Sequence, residues 1–318
     1  MAYGRNILLL CAIFMLSSVA TNLIGPFLSL YIVNSLRASV TELGLVIAVS
    51  DAVTTVLLIP SGTLSDKYGR KKLHALGTFV SAFPPLLYTF AVHWFEVVPW
   101  LILSGAALGL YLPIRWSIPA DVSVAENFAT AYSWTNVAFL AGSTAGPLLG
   151  GLIAEAMGIK TPFLFCFSLL CVAFLLTLTL QETGKKKESA QVMHKNDESP
   201  RAMRFSWVIA LFSLINILQG AGVGLFFTPL SVFVVRRFSV SDALVGLLYA
   251  VGFGFASLVV QLPGGRLANR YDRKRLLLVA FVVSAPFYGL FALSRGLVEL
   301  FLFMFLSNAV LNVSWPAF

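Results

Sequence analysis

Gly62-Thr63-Leu64-Ser65-Asp66-Lys67-Tyr68-Gly69-Arg70-Lys71-Lys72 separates two long apolar stretches, VTELGLVIAVSDAVTTVLLIP at 40–60 and the run at 74–92. Its glycines permit a sharp turn and a close approach of helices. Its cations suit the anionic inner leaflet of a bilayer. Asp66 stands four residues before Arg70, one helical turn, so the two can interact. A second copy, Gly265-Arg266-Leu267-Ala268-Asn269-Arg270-Tyr271-Asp272-Arg273-Lys274-Arg275, follows 203 residues later, with Asn269 at the place of the acid and Asp272 at that of the second glycine. The same offset relates Pro26 to Pro229, Pro60 to Pro263 and Pro113 to Pro316. One constant offset across four apolar spans implies two equivalent helical units in the same orientation.

The composition requires lipid. Of 318 residues, 58% are hydrophobic and 11% charged, with a mean hydropathy of +0.87; a soluble domain carries about 25% charge. Ten stretches approach the roughly 20 apolar residues that a spanning helix needs. They are 6–33, 41–64, 74–92, 97–118, 129–157, 162–181, 205–235, 242–264, 276–294 and 297–318. The first passes for a signal peptide until its apolar character continues through Leu23–Val33, and it has a mid-chain counterpart; it reads as a span that stays. Residues 182–204 are polar, mixed in charge and without apolar period, which predicts a cytoplasmic linker between a six-helix bundle at 1–181 and a partial second bundle at 205–318.

The net charge of +8 lies in short basic runs between apolar stretches, a pattern that excludes a nucleic-acid-binding domain. With the N-terminus inside, 16 of the 22 Lys and Arg fall on the cytoplasmic side, five fall outside and Arg115 lies within a span. This bias predicts a multi-pass cell-membrane protein with a cytoplasmic N-terminus. Cys11, Cys166 and Cys171 sit inside apolar stretches as small hydrophobes. His74, His93 and His194 have neither metal spacing nor a nucleophile partner, and no phosphate-binding Gly-x-x-x-x-Gly-Lys-Ser/Thr loop occurs. An enzyme, a metal site and ATP-driven pumping are therefore not expected.

The Gly62–Lys72 stretch resembles the G-x-L-x-D-(R/K)-x-G-R-(R/K)-x-(R/K) signature of the major facilitator superfamily. The resemblance implies an all-α bundle of two six-helix repeats, ten of an expected twelve helices being present. Gln181 moved on by 203 falls at 384, so a C-terminally truncated chain is expected. It also implies an inner gate latch made by Gly62, Asp66, Gly69, Arg70 and Lys71, with Gly265 and Arg273 as the second copy and Asp121 as partner of the motif arginine. Gly142-Ser143-Thr144-Ala145-Gly146-Pro147-Leu148-Leu149-Gly150-Gly151 resembles the G-x-x-x-G-P-x-x-G-G motif of antiporters in the superfamily, and favours efflux. The family's usual arginine of the fourth helix is missing, since 101–105 read Leu-Ile-Leu-Ser-Gly. Cofactors are not implied; a proton or ion gradient would supply the energy, a small organic solute would be the partner, and a monomer is expected.

Charges within spans need a reason, because each costs about 2.5–3.5 kcal/mol at the bilayer centre. Asp51 lies fifteen residues before Asp66, about 22 Å up the second span. It is the candidate for proton coupling; the competing reading is a structural acid satisfied by the hydroxyls of Thr54 and Thr55. Arg115 can meet an anionic substrate, join a gate network or snorkel to the interface. Ser18, Asn22, Gly25 and Ser29 form a small or polar stripe on the first span; Ser213, Asn216, Gln219 and Gly220 do so on the seventh, and Asn308, Asn312 and Trp315 on the tenth. The superfamily lines its central cavity with helices 1, 4, 7 and 10, so Asn22, Asn216, Gln219 and Asn312 join Arg115 and Asn136 as candidate cavity residues. Interhelical hydrogen bonding explains the same stripes equally well. A membrane sensor that keeps this fold without transporting remains the second class of function.

Overall fold

A computed structural model describes residues 2–122, 128–180, 207–270 and 272–313. The linker expected at 182–204 lies outside them. The described chain forms ten long helices. In order they are α1 (Ala2–Leu30, continued by a π-helical turn, Tyr31–Ser35), α2 (Val40–Tyr68), α3 (Arg70–Tyr88) and α4 (Val98–Val122, entered through a 3₁₀ turn, Trp94–Val97). Then come α5 (Phe128–Met157), α6 (Thr161–Thr179) and α7 (Trp207–Phe238). The last three are α8 (Asp242–Tyr249, a π-helical stretch Ala250–Phe255, and Ala256–Arg270), α9 (Arg273–Leu293) and α10 (Leu297–Val313). No strand occurs among the described residues. Eight of the helices are long and apolar enough to cross a membrane; α3 begins in the basic cluster and α10 is 17 residues long.

The signature segment is more helical than the sequence suggests. α2 runs through Gly62 to Tyr68, and α3 begins at Arg70, so the turn is a single residue, Gly69. Its φ of 94° is a conformation that only glycine adopts without strain. At the equivalent place in the second half, Asp272 has φ of −59° and caps α9 by accepting from the Arg275 amide at 3.0 Å. The replacement of glycine by aspartate is therefore an exchange of a left-handed corner for a capped one.

The repeat is visible in the corners. Ser39 and Ser241 have nearly the same backbone (φ −71°, ψ 160° and φ −72°, ψ 162°), and each caps the helix that follows. Two residues before each serine, Arg37 and Ser239 take positive φ of 60° and 51°. Glu96 accepts from the Val92 amide at 2.8 Å, and Glu299, 203 residues later, accepts from the Arg295 amide at 2.8 Å. Such carboxylates satisfy donors that the first helical turn leaves open and suit the positive helix end. Glu96→Ala and Glu299→Ala should each lower the thermal unfolding midpoint by a similar small amount, and the double variant by their sum, because the sites share no partner. A differential scanning measurement on the purified variants checks this.

The buried clusters divide by end. At the Arg37 end one core draws on both halves, with Phe27, Tyr31 and Leu43 beside Leu230, Val245 and Met304. There Tyr31 Oη donates to the carbonyls of Tyr88 (2.9 Å) and Ala91 (3.2 Å). At the Gly69 end the buried cluster, with Leu10, Phe14, Leu73, Ile118 and Leu180, belongs to the first half alone. Among the described residues, the buried apolar cluster shared by both halves lies at the Arg37 end.

Candidate functional site

The glycine- and proline-rich stretch of α5 resolves into two faces. A Cβ on Gly142 would lie 2.6 Å from the Met15 carbonyl oxygen, and one on Gly146 2.8 Å from that of Val19 and 2.9 Å from Asn22 Cβ. A Cβ on Gly150 would overlap the Leu23 carbonyl. These three glycines seat α5 directly on the backbone of α1, and Ser18 Oγ adds a bond to the Phe139 carbonyl at 2.7 Å. The opposite face meets the second half. A Cβ on Gly151 would lie 2.6 Å from the Asp242 carbonyl oxygen, and one on Gly246 would overlap that of Pro147. Glu155 closes this contact at the Arg37 end by accepting from the Ala243 amide at 2.9 Å.

Asn22 is accordingly turned toward α5, and its Nδ2 donates to the Ser18 carbonyl at 2.9 Å. At Ser18 and Asn22 the polar stripe serves helix packing. Asn308 and Asn312 likewise bond backward to their own helix, to the carbonyls of Met304 (2.9 Å) and Asn308 (2.8 Å). The side chains of Asp121, Asn216, Gln219 and Arg273 lie outside the described residues, as do residue 315 and the side chain of Ser213. Gly265 sits within α8.

Ser50 and Thr54 tie α2 to α4. Ser50 Oγ donates to the Leu101 carbonyl at 2.9 Å and Thr54 Oγ1 to the Gly105 carbonyl at 3.0 Å. Gly105 and Gly109, four apart on α4, make this approach possible; a Cβ on Gly109 would lie 2.7 Å from the Thr54 carbonyl oxygen. Sequence reasoning passed over these two glycines, although their spacing is the small-residue pattern of membrane helix contacts. Asp51 points elsewhere and is exposed. Thr54 is committed to Gly105 and Ser50, and Thr55 Oγ1 donates to the Asp51 carbonyl at 2.8 Å, so neither hydroxyl serves the carboxylate. The competing reading of a hydroxyl-satisfied acid therefore fails at both threonines.

At the Gly69 corner, Asp66 and Arg70 approach to 3.9 Å in an open setting, worth little by itself. The cations reach further: Arg70 Nη1 donates to the Ser117 carbonyl at 3.2 Å, and Lys71 Nζ to the Leu178 carbonyl at 2.8 Å. The segment thereby ties the α2–α3 corner to the last turns of α4 and α6, where unsatisfied carbonyls and the negative helix end favour cations.

Arg115 is held inside the first bundle. Its guanidinium carbon lies 3.3 Å from the ring centre of Phe139, 4.8 Å from that of Trp116 and 5.9 Å from that of Phe14. Two small voids flank it. Asn136, Thr135 and Tyr132 line one, and Ser17, Thr21, His74 and Tyr111 line the other. The structure brings Arg115 and Asn136 together; Tyr111 stands one turn before Arg115 on α4, and His74, from α3, joins them only in the fold.

A groove of about 730 Å³ opens along α7, lined by Leu218, Gly222, Leu225, Phe226, Phe281 and Tyr288 among others. Shifted back by 203, its α7 residues fall on Met15, Val19, Asn22 and Leu23, the α1 surface that α5 covers. Its apolar lining is thus the counterpart of a helix-contact surface in the first half.

The model of the Major Facilitator Superfamily matches residues 10–216 and 212–318. The chain belongs to the major facilitator superfamily. It is a multi-pass membrane protein of a transporter family, and nothing in that membership makes it an enzyme. Among superfamily relatives, the multi-drug resistance efflux pump PmrA of Streptococcus pneumoniae is 28% identical over 301 residues, covering 92% of this chain and 74% of the pump. Multidrug resistance protein 2 of Bacillus subtilis is 23% identical, covering 85% of this chain and 68% of that protein. The superfamily fold is shared with a bacterial homolog of the human lysosomal transporter Spinster in an inward-facing, occupied conformation (TM-score 0.74, 17% identity, 99% of this chain and 73% of that one). It is shared as well with the xylose transporter XylE of E. coli in an inward-open conformation (TM-score 0.72, 16% identity, 99% and 81%).

Proposed function

We propose that the chain is a proton-coupled exporter of small organic solutes, acting as a monomer in the cell membrane with its N-terminus in the cytoplasm. The observation that carries this reading is the 28% identity to an efflux pump, spread over 301 residues. The α5 stretch from Gly142 to Gly151 supports it through the antiporter resemblance. In this reading the halves are 1–181 and 205–318, and they rock about a midplane cavity. Gly62, Asp66, Gly69, Arg70 and Lys71 form the inner latch, supported by the bonds of Arg70 and Lys71 to the ends of α4 and α6. Asp51 carries the coupled proton.

An importer is the second reading, favoured by the fold shared with the xylose transporter XylE and with a D-xylose-proton symporter. Proteoliposomes holding the full chain, loaded with lipophilic dyes under an imposed pH gradient, separate the two. Export predicts dye movement opposite to the protons, abolished by a protonophore. Movement in the same direction as the protons makes the protein an importer. Absence of flux under either gradient, across the dye panel, leaves the sensor.

A further inference from the structure

Arg115 carries a full positive charge into the interior of the first bundle, and among the described residues it has no carboxylate partner. Aromatic rings cover its faces, which offsets part of the desolvation and neutralises none of the charge. On one side lies a void whose polar lining is Ser17, Thr21, His74 and Tyr111 together with the guanidinium. Ser17 Oγ is buried there without a hydrogen-bond partner, which a native interior rarely tolerates. Thr21 Oγ1 is occupied, donating to the Ser17 carbonyl at 2.9 Å. Thr78 Oγ1 lies 3.5 Å from His74 Nδ1 and donates to the His74 carbonyl at 2.9 Å. The lining thus offers a cation and several N–H and O–H donors and contains no acid. Its free volume of about 10 Å³ is room for one small particle.

We propose that this void binds a small inorganic monovalent anion of chloride size, held by Arg115 and Ser17 with His74 and Tyr111 completing the shell. A water molecule would satisfy Ser17 and leave Arg115 uncompensated; a monovalent anion does both. The site shares no residue with the latch or with Asp51, and it does not depend on the direction of transport.

The test is thermal unfolding of the purified full chain in detergent, in sodium chloride against sodium gluconate at equal ionic strength. Chloride and bromide should raise the midpoint saturably, by about 3 °C at tenfold excess over the dissociation constant. Ser17→Ala should weaken the apparent affinity several-fold, and Arg115→Gln should remove the chloride dependence. If Arg115→Gln does not fold, Arg115→Lys decides, since it should keep a saturable rise at lower affinity. Equal midpoints in the two salts, or Ser17→Ala and Arg115→Lys variants with the affinity of the unaltered protein, would overturn the site and leave a bound water.

Discussion

Gly150→Leu should abolish the stable packing of α5 on α1, while Gly25→Leu should leave stability unchanged. A Cβ at Gly150 falls on the Leu23 carbonyl, with Phe27 Cε2 3.0 Å away, whereas a Cβ at Gly25 meets nothing within 4 Å. The obstacle at Gly150 is backbone, which cannot rotate aside as a side-chain terminus can, so the helices must separate. Overpacking usually costs 1–3 kcal/mol, and a clash with backbone along a whole helix pair lies at the upper end, about 3 kcal/mol. That corresponds to a midpoint lowered by roughly 5 °C for a chain of this length. Both substitutions add the same apolar side chain to a helix interior, so hydrophobicity and helix propensity cancel in the comparison. Equal midpoints for the two variants would show that α5 does not rest on α1 at these glycines.

The second large effect is expected at Asp51. Asp51→Asn should reduce gradient-driven solute movement to the level of protein-free liposomes while solute exchange between equal pools persists. The carboxamide keeps the size and polarity of the acid but cannot take up and release a proton. Ser50 and Thr54 hold this turn of α2 against Gly105 and Leu101, so the substitution, on the exposed side, should leave the midpoint unchanged. Its counterpart at offset 203 is Gly254, whose position is filled by Thr144 of α5; α2 thus carries an acid where α8 carries a helix contact. Gradient-driven flux intact in Asp51→Asn would remove the coupling role.

Much of the fold was legible because apolar length and repeated prolines survive without structural context. The ten spans, the repeat and the corner at Gly69 all follow from residues near each other in sequence or related by one offset. The corner pair Glu96/Glu299 was available by the same reasoning and was passed over, since a capping carboxylate looks like any polar loop residue; Ser39 and Ser241 stand 202 apart, one residue off the repeat. The extent of α2 was misjudged because Asp66 and Lys67 look like loop chemistry, although charged residues sit comfortably in the last turn of a helix that leaves the membrane. Asn22 was assigned to a cavity on helical spacing, which places residues on one face without saying what that face touches. The Arg115 neighbourhood was hidden for a different reason: beyond Tyr111, one turn before it on α4, its neighbours Ser17, His74 and Phe139 come from three other helices, and no sequence period connects them.

The two faces of α5 have different mechanical meanings. Toward α1 the contact interlocks, with the side chains of Ser18, Asn22 and Phe27 set against Gly142, Gly146 and Gly150. Toward α8 the surfaces at Pro147, Gly151 and Gly246 are nearly bare backbone on backbone, with few side chains to act as teeth. Such a seam resists parting and offers little friction to sliding, as a plain bearing does. Tilting of one half on the other would therefore be carried by the α5–α8 seam, while the α1–α5 pair travels as one rigid piece.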